Sequence, residues 1–92
     1  MVTAIILLKV EREFINDVAE AMTNMDEISE VYSVGGRVDL VAIVRVPEND
    51  QLAKLVTSKM IGLKGIKDTE TMVAFRAYSQ HDLERMFSIG MD

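Results

Sequence analysis

From Val2 to Val10 the chain is apolar at every position except Thr3 and Lys9. A half-solvated strand alternates apolar with polar residues, so this β-branched and aliphatic run reads as a strand covered on both faces. Any fold for the chain must therefore supply cover on two sides of its first strand. Ile28–Val34 and Leu40–Val46 read as two further strands. In the latter, Ile43 and Val44 cannot both face one covering layer, because neighbouring side chains in a strand point to opposite faces.

Between the first two runs, Phe14, Val18, Ala21, Met22 and Met25 recur at helical spacing, with Asn16, Asp17, Glu20 and Asn24 on the other side. Glu11 and Glu13 open this helix, where its dipole favours acids, and it should end near Asn24. Pro47 stops the third strand. Asn49 or Asp50 is a suitable N-cap for a second helix with Leu52, Leu55, Val56, the stem of Lys59 and Met60 inward, ending at Gly62. Lys67–Tyr78 reads as a fourth strand, with Thr71, Val73, Phe75 and Ala77 on one face and Met72, Ala74, Arg76 and Tyr78 on the other. Ser79, with Asp82 three residues on, resembles a capping box for a short last helix with Leu83, Met86, Phe87 and Ile89 on its apolar side.

The order β-α-β-β-α-β predicts an α+β, ferredoxin-like fold: a four-stranded antiparallel sheet with two helices on one face, plus a short C-terminal helix. No linker or composition shift divides residues 1–92, so they form one domain. Two helices cover one face only. A last helix of about ten residues is too short to cover four strands spaced about 4.8 Å apart. A second copy packed sheet to sheet is the expected cover, with dimers assembling further.

Several chemistries are excluded. There is no cysteine, hence no disulfide, thiolate metal site or cysteine nucleophile. Net charge is −5 and the ten basic residues are scattered, which argues against direct nucleic-acid binding. No apolar run approaches the about 20 residues of a membrane span. The apolar start lacks a basic n-region and a cleavage site, so a cytoplasmic location is expected. Ser79, His81 and Asp82 look triad-like on paper, but triads are assembled from distant segments and these residues suit a helix start. No catalytic residue, metal ligand or cofactor is assigned. Asp26/Glu27 and Glu11/Glu13 read as solvated or dipole-complementing charges.

The chemistry that is present is binding chemistry. Val31-Tyr32-Ser33-Val34-Gly35-Gly36-Arg37-Val38-Asp39-Leu40 reads as strand, tight turn, strand. Two glycines let the chain reverse and leave backbone N–H groups uncovered. Arg37 and Asp39 set one cation and one anion beside that backbone, the two partners a zwitterion needs. An ordinary hairpin with two solvated charges is the commoner use of such a turn. Thr69, Glu70 and Thr71 open the fourth strand. In the strand order 4-1-3-2 that strand and the hairpin lie at opposite edges, so a site combining them is expected to form between chains.

These residues resemble the amino-acid-binding regulatory (RAM) domain of the Lrp/AsnC transcription factors. The likeness runs from Thr3 to about Tyr78 and is most specific at Val31–Leu40 and at Gly65-Ile66-Lys67-Asp68-Thr69-Glu70-Thr71. Gly36 matches the family's turn glycine, Asp39 its aspartate, Gly65 its loop glycine, and Thr69 and Thr71 its threonine pair. The resemblance implies a homodimer assembling into an octamer-like ring, with an amino acid effector held between dimers. The contacts it implies are Tyr32, Gly35, Gly36, Arg37, Val38 and Asp39, with Thr69 and Thr71. Backbone N–H groups of Gly36–Val38 would hold the carboxylate; Asp39 would take the ammonium or cap the turn. Arg37 stands where the family often has an aromatic residue. The chain begins at the first strand, so the expected form is a stand-alone domain lacking the family's helix-turn-helix, with full-length Lrp/AsnC regulators as a possible partner. The competing readings are a ligand-free oligomerisation module, a dimeric ferredoxin-like enzyme and an ACT domain. The ACT domain places its ligand glycine after the first strand, where this chain has Val10-Glu11-Arg12.

Overall fold

A computed structural model describes residues 1–78. Strands β1 (Val2–Val10), β2 (Ile28–Ser33), β3 (Leu40–Val46) and β4 (Ile66–Val73) form one antiparallel sheet in the order β2-β3-β1-β4. Helix α1 (Ile15–Thr23) follows β1 after a single turn of 3₁₀ helix at Arg12–Phe14. Helix α2 (Asn49–Lys54) runs on as a π-helical stretch, Leu55–Lys59, and a 3₁₀ turn, Met60–Gly62. The expected ferredoxin-like arrangement is the one observed. The expected C-terminal helix and its cap fall at residues 79–92, outside the described residues.

The core lies between the sheet and the helical layer. β1 contributes Ala4, Ile6, Leu8 and Val10, and β3 contributes Leu40, Ala42, Val44 and Val46. Val18 and Met22 come from α1, and Leu52, Leu55 and Met60 from α2 and its continuation. Register places the intervening residues on the other face. Leu7 pairs with Val41, Ile5 with Ile43 and with Met72, and Tyr32 with Val41. This second face carries no helix among the described residues. Its centre is the aliphatic patch Ile5, Leu7, Val41 and Ile43, which neighbouring side chains only half bury.

Three expectations need correction. The fourth strand ends at Val73, not Tyr78. Val73 pairs with Ala4, and the Ala74 N–H donates to the Thr3 carbonyl at 2.8 Å. β1 continues through Thr3 to Val2, paired there with β3 alone, but β4 does not follow it, and Phe75 lies 98% exposed. Second, neither Asn49 nor Asp50 caps α2: Glu48 holds the N-cap position, and no side-chain cap bond is made. Third, Glu27 is not a solvated acid. Its side chain is 14% exposed and accepts a hydrogen bond from the Lys59 ammonium, which ties the start of β2 to the end of the π-helical stretch.

Candidate functional site

The connection from β2 to β3 is six residues, 34–39. It closes on itself where the Val34 N–H donates to the Asp39 carbonyl at 3.0 Å. Gly36 has φ +137, backbone that a side chain rarely adopts, and a Cβ there would meet nothing within 4 Å. The turn is thus open on its outer side at the position that only glycine takes easily.

Asp39 decides where this turn goes. Its N–H donates to the Leu8 carbonyl at 2.9 Å, and its Oδ2 accepts the Val10 N–H at 2.9 Å. Both partners belong to β1. The ladder between β1 and β4 is irregular at Lys9/Val10, so the carboxylate serves an N–H at the point where the strand ladder slips. The Asp39 Oδ2 bond is thus a tie from the turn to β1, a role distinct from both taking an ammonium and capping the turn itself.

Pinned to β1, the turn leans across the end of that strand and reaches the strand on its far side. Arg37 and Val38 line one open cleft of about 330 Å³ together with Leu7 and Lys9 of β1 and Asp68, Thr69 and Glu70 of β4. Hairpin and fourth strand of one chain thus border a common cleft, although a site combining them was expected only between chains. Their strands are at opposite edges, as expected, but one strand of the sheet separates Asp39 from β4, and the turn spans it.

The predicted site residues divide. Arg37 and Val38 come together in the cleft, and Thr69 borders it from a position opposite the buried Leu8, on the helix-covered face. Gly35 and Gly36 shape the turn without lining the cleft, and Asp39 anchors it. Thr71 pairs with Ile6 and so belongs to the helix-covered face. Tyr32 sits on the open face of edge strand β2, where its hydroxyl donates to Glu30. That carboxylate holds the phenol above its usual range. Lys9, Asp68 and Glu70 line the cleft unannounced by the turn motif. The sequence signal that would have found them is register: Lys9 pairs with Asp68 and Leu7 with Glu70. Among the described residues, no trio of His, Asp or Glu is placed to hold a metal. No helix among them is long and apolar enough to cross a membrane.

A family model described as the Lrp/AsnC ligand binding domain matches residues 3–83. The chain belongs to this family. It is 29% identical over 80 residues to the HTH-type transcriptional regulator FL11 of Pyrococcus furiosus, a match covering 86% of the chain and 52% of FL11. The Lrp/AsnC chain thus spans about half the length of this curated relative. The crystal structure of TTHA0845 from Thermus thermophilus is similar at a TM-score of 0.82 and 39% identity, covering 87% of this chain and 100% of that one. The feast or famine regulatory protein Rv3291c of M. tuberculosis, complexed with L-methionine, shares the fold at a TM-score of 0.71 and 20% identity, with 87% and 54% covered. The chain is thus an Lrp/AsnC ligand-binding domain.

Proposed function

We propose that this Lrp/AsnC domain senses an amino acid, which it binds as a zwitterion in the cleft between the Gly35-Gly36 turn and β4. The observation that carries the reading is the charge distribution of that cleft. Two cations, Lys9 and Arg37, and two anions, Asp68 and Glu70, line one cavity. The ion pairs found among the described residues, Arg45–Glu30 and Lys59–Glu27, involve none of them. An α-carboxylate fits Arg37 and the backbone N–H groups of Arg37 and Val38; an α-ammonium fits Glu70. Charge-assisted hydrogen bonds of this kind are the stronger ones, and their geometry selects a zwitterion over a simple ion. That Rv3291c is seen with L-methionine supports an amino acid as the ligand class.

The same reading makes the assembled form the working form. The face opposite the two helices buries its aliphatic patch against a second copy, and dimers join into a ring. Mixed assemblies with full-length Lrp/AsnC regulators would bring the domain to DNA, which its own net charge of −5 does not favour.

A thermal-melt screen against the twenty amino acids tests the binding claim. A ligand at one hundred times its dissociation constant adds about 2.7 kcal/mol to the folded state, a readily measured rise in Tm. The expected result is a selective shift that is lost in Arg37→Ala, a change at an exposed position. A flat screen with intact assembly would instead favour the ligand-free oligomerisation module.

A further inference from the structure

Resting on that reading of the cleft, we propose that Lys9 and Asp68 act as a built-in counter-charge pair that makes the site select amino acids with an uncharged side chain. The two residues are directly opposite each other in the β1–β4 ladder. Directly opposed residues of an antiparallel pair share a face, with Cβ atoms about 5 Å apart. The Asp68 carboxylate is held down to its own strand, because its Oδ1 accepts the Thr69 N–H at 3.0 Å. Glu70 is differently placed. Its partner across the ladder is the aliphatic Leu7, and it has no cation opposite it. Arg37 is delivered separately, by the turn.

Charge balance then follows from position. The zwitterion engages Arg37 with its carboxylate and Glu70 with its ammonium. What remains in the cleft is Lys9 opposite Asp68, not joined in an ion pair but of opposite sign across the ladder, so their charges offset each other, with Leu7 and Val38 as the apolar lining. A glutamate or lysine side chain entering there would give up hydration and find a charge that is already countered, which disfavours it. An uncharged side chain meets no such cost. Specificity of this kind arises from what the site refuses as much as from what it contacts.

Removing either member of the pair should uncover the other. Both are exposed, so the substitutions spare the core. Affinities of the full chain for glutamine, glutamate and lysine would be measured by calorimetry in four proteins: wild type, Lys9→Gln, Asp68→Asn and the double variant. The wild type is expected to prefer glutamine. Asp68→Asn, leaving Lys9 unopposed, is expected to shift the glutamate-to-glutamine ratio by about tenfold toward glutamate, the 1.4 kcal/mol of one modest ion contact. Lys9→Gln should shift the lysine-to-glutamine ratio by a similar factor toward lysine. The double variant should return to the wild-type preference. Single variants that move selectivity in the same direction, or not at all, while Arg37→Ala still abolishes binding, would overturn the pair and leave the site standing. A wild type that prefers glutamate or lysine would overturn it too. A wild type that binds no amino acid removes the site and the pair together.

Discussion

A methyl group added at Gly65 would sit 2.6 Å from the Phe14 Cγ, with the Phe14 Cβ closer still. The backbone there has φ +99, and its carbonyl accepts the Glu11 N–H at 2.8 Å, so the loop cannot back away without losing that bond. Gly65→Ala therefore combines a left-handed backbone penalty with overpacking and should cost about 3 kcal/mol. Gly36→Ala suffers the backbone penalty alone, because nothing lies within 4 Å of its Cβ, and should cost about 1 kcal/mol. Urea midpoints of the two variants check the contrast; equal losses would mean that the Phe14 contact carries no weight. Asp39 is the third residue of this kind. Asp39→Ala leaves the Val10 N–H without its acceptor and should destabilise by about 1–3 kcal/mol. Asp39→Asn keeps an acceptor oxygen and should lose markedly less in the same assay.

At the level of elements, the ion pair between Glu27 and Lys59 couples the entry of β2 to the helical segment before β4. The hydrogen bond from Lys59 is the main reason that the Glu27 carboxyl lies below its ordinary value of 4.5 in the folded protein. A carboxylate with a lowered folded pKa contributes stability that is present above 4.5 and is lost as pH falls through the lower, folded value. Glu27→Gln should thus destabilise at pH 7, by up to about 1 kcal/mol given the partial exposure of Lys59, and make little difference near pH 3. An equal loss at both pH values would show the side chain acting through packing instead. The acid-pair reading of Asp26/Glu27 had no means of finding this contact, since Lys59 lies thirty-two residues away. What was legible was whatever local pattern dictates. Leu40–Val46 is the third strand to the residue, and Val18 and Met22 are the buried stripe of α1. The end of β4 was not legible, because the apolar alternation runs on to Tyr78 although the pairing with β1 ends at Val73. Nor was the cleft, because the bonds from Asp39 to Leu8 and Val10 bring the turn across the sheet, and no periodicity in 34–39 announces them.

For the whole molecule, the open face links assembly to ligand. Ile43 pairs with Ile5 at the centre of that face, between the two inner strands. Four strands about 4.8 Å apart and some seven residues long, at about 3.3 Å each, present roughly 400–450 Å² in plan. Two such faces total about 800–900 Å² in plan, small beside the roughly 1,200 Å² of accessible surface at the lower end of specific association, so a single buried charge should break it. Ile43→Asp is expected to convert the dimer to a monomer in light scattering across a dilution series, whereas the rim change Arg45→Ala should shift dissociation less than tenfold. A wild type already monomeric at micromolar concentration would remove the face-to-face dimer. Leu7 belongs to both surfaces: it pairs with Val41 on the open face and lines the cleft. In the proposed function, effector binding and sheet pairing share this side chain, and by linkage each would then alter the other. With one cleft per protomer, the expected result is that the ratio of dimer dissociation constants with and without saturating amino acid equals the square of the ratio of amino acid affinities of wild type and Ile43→Asp. A dimer whose dissociation is indifferent to a saturating ligand would show that Leu7 serves the two surfaces independently.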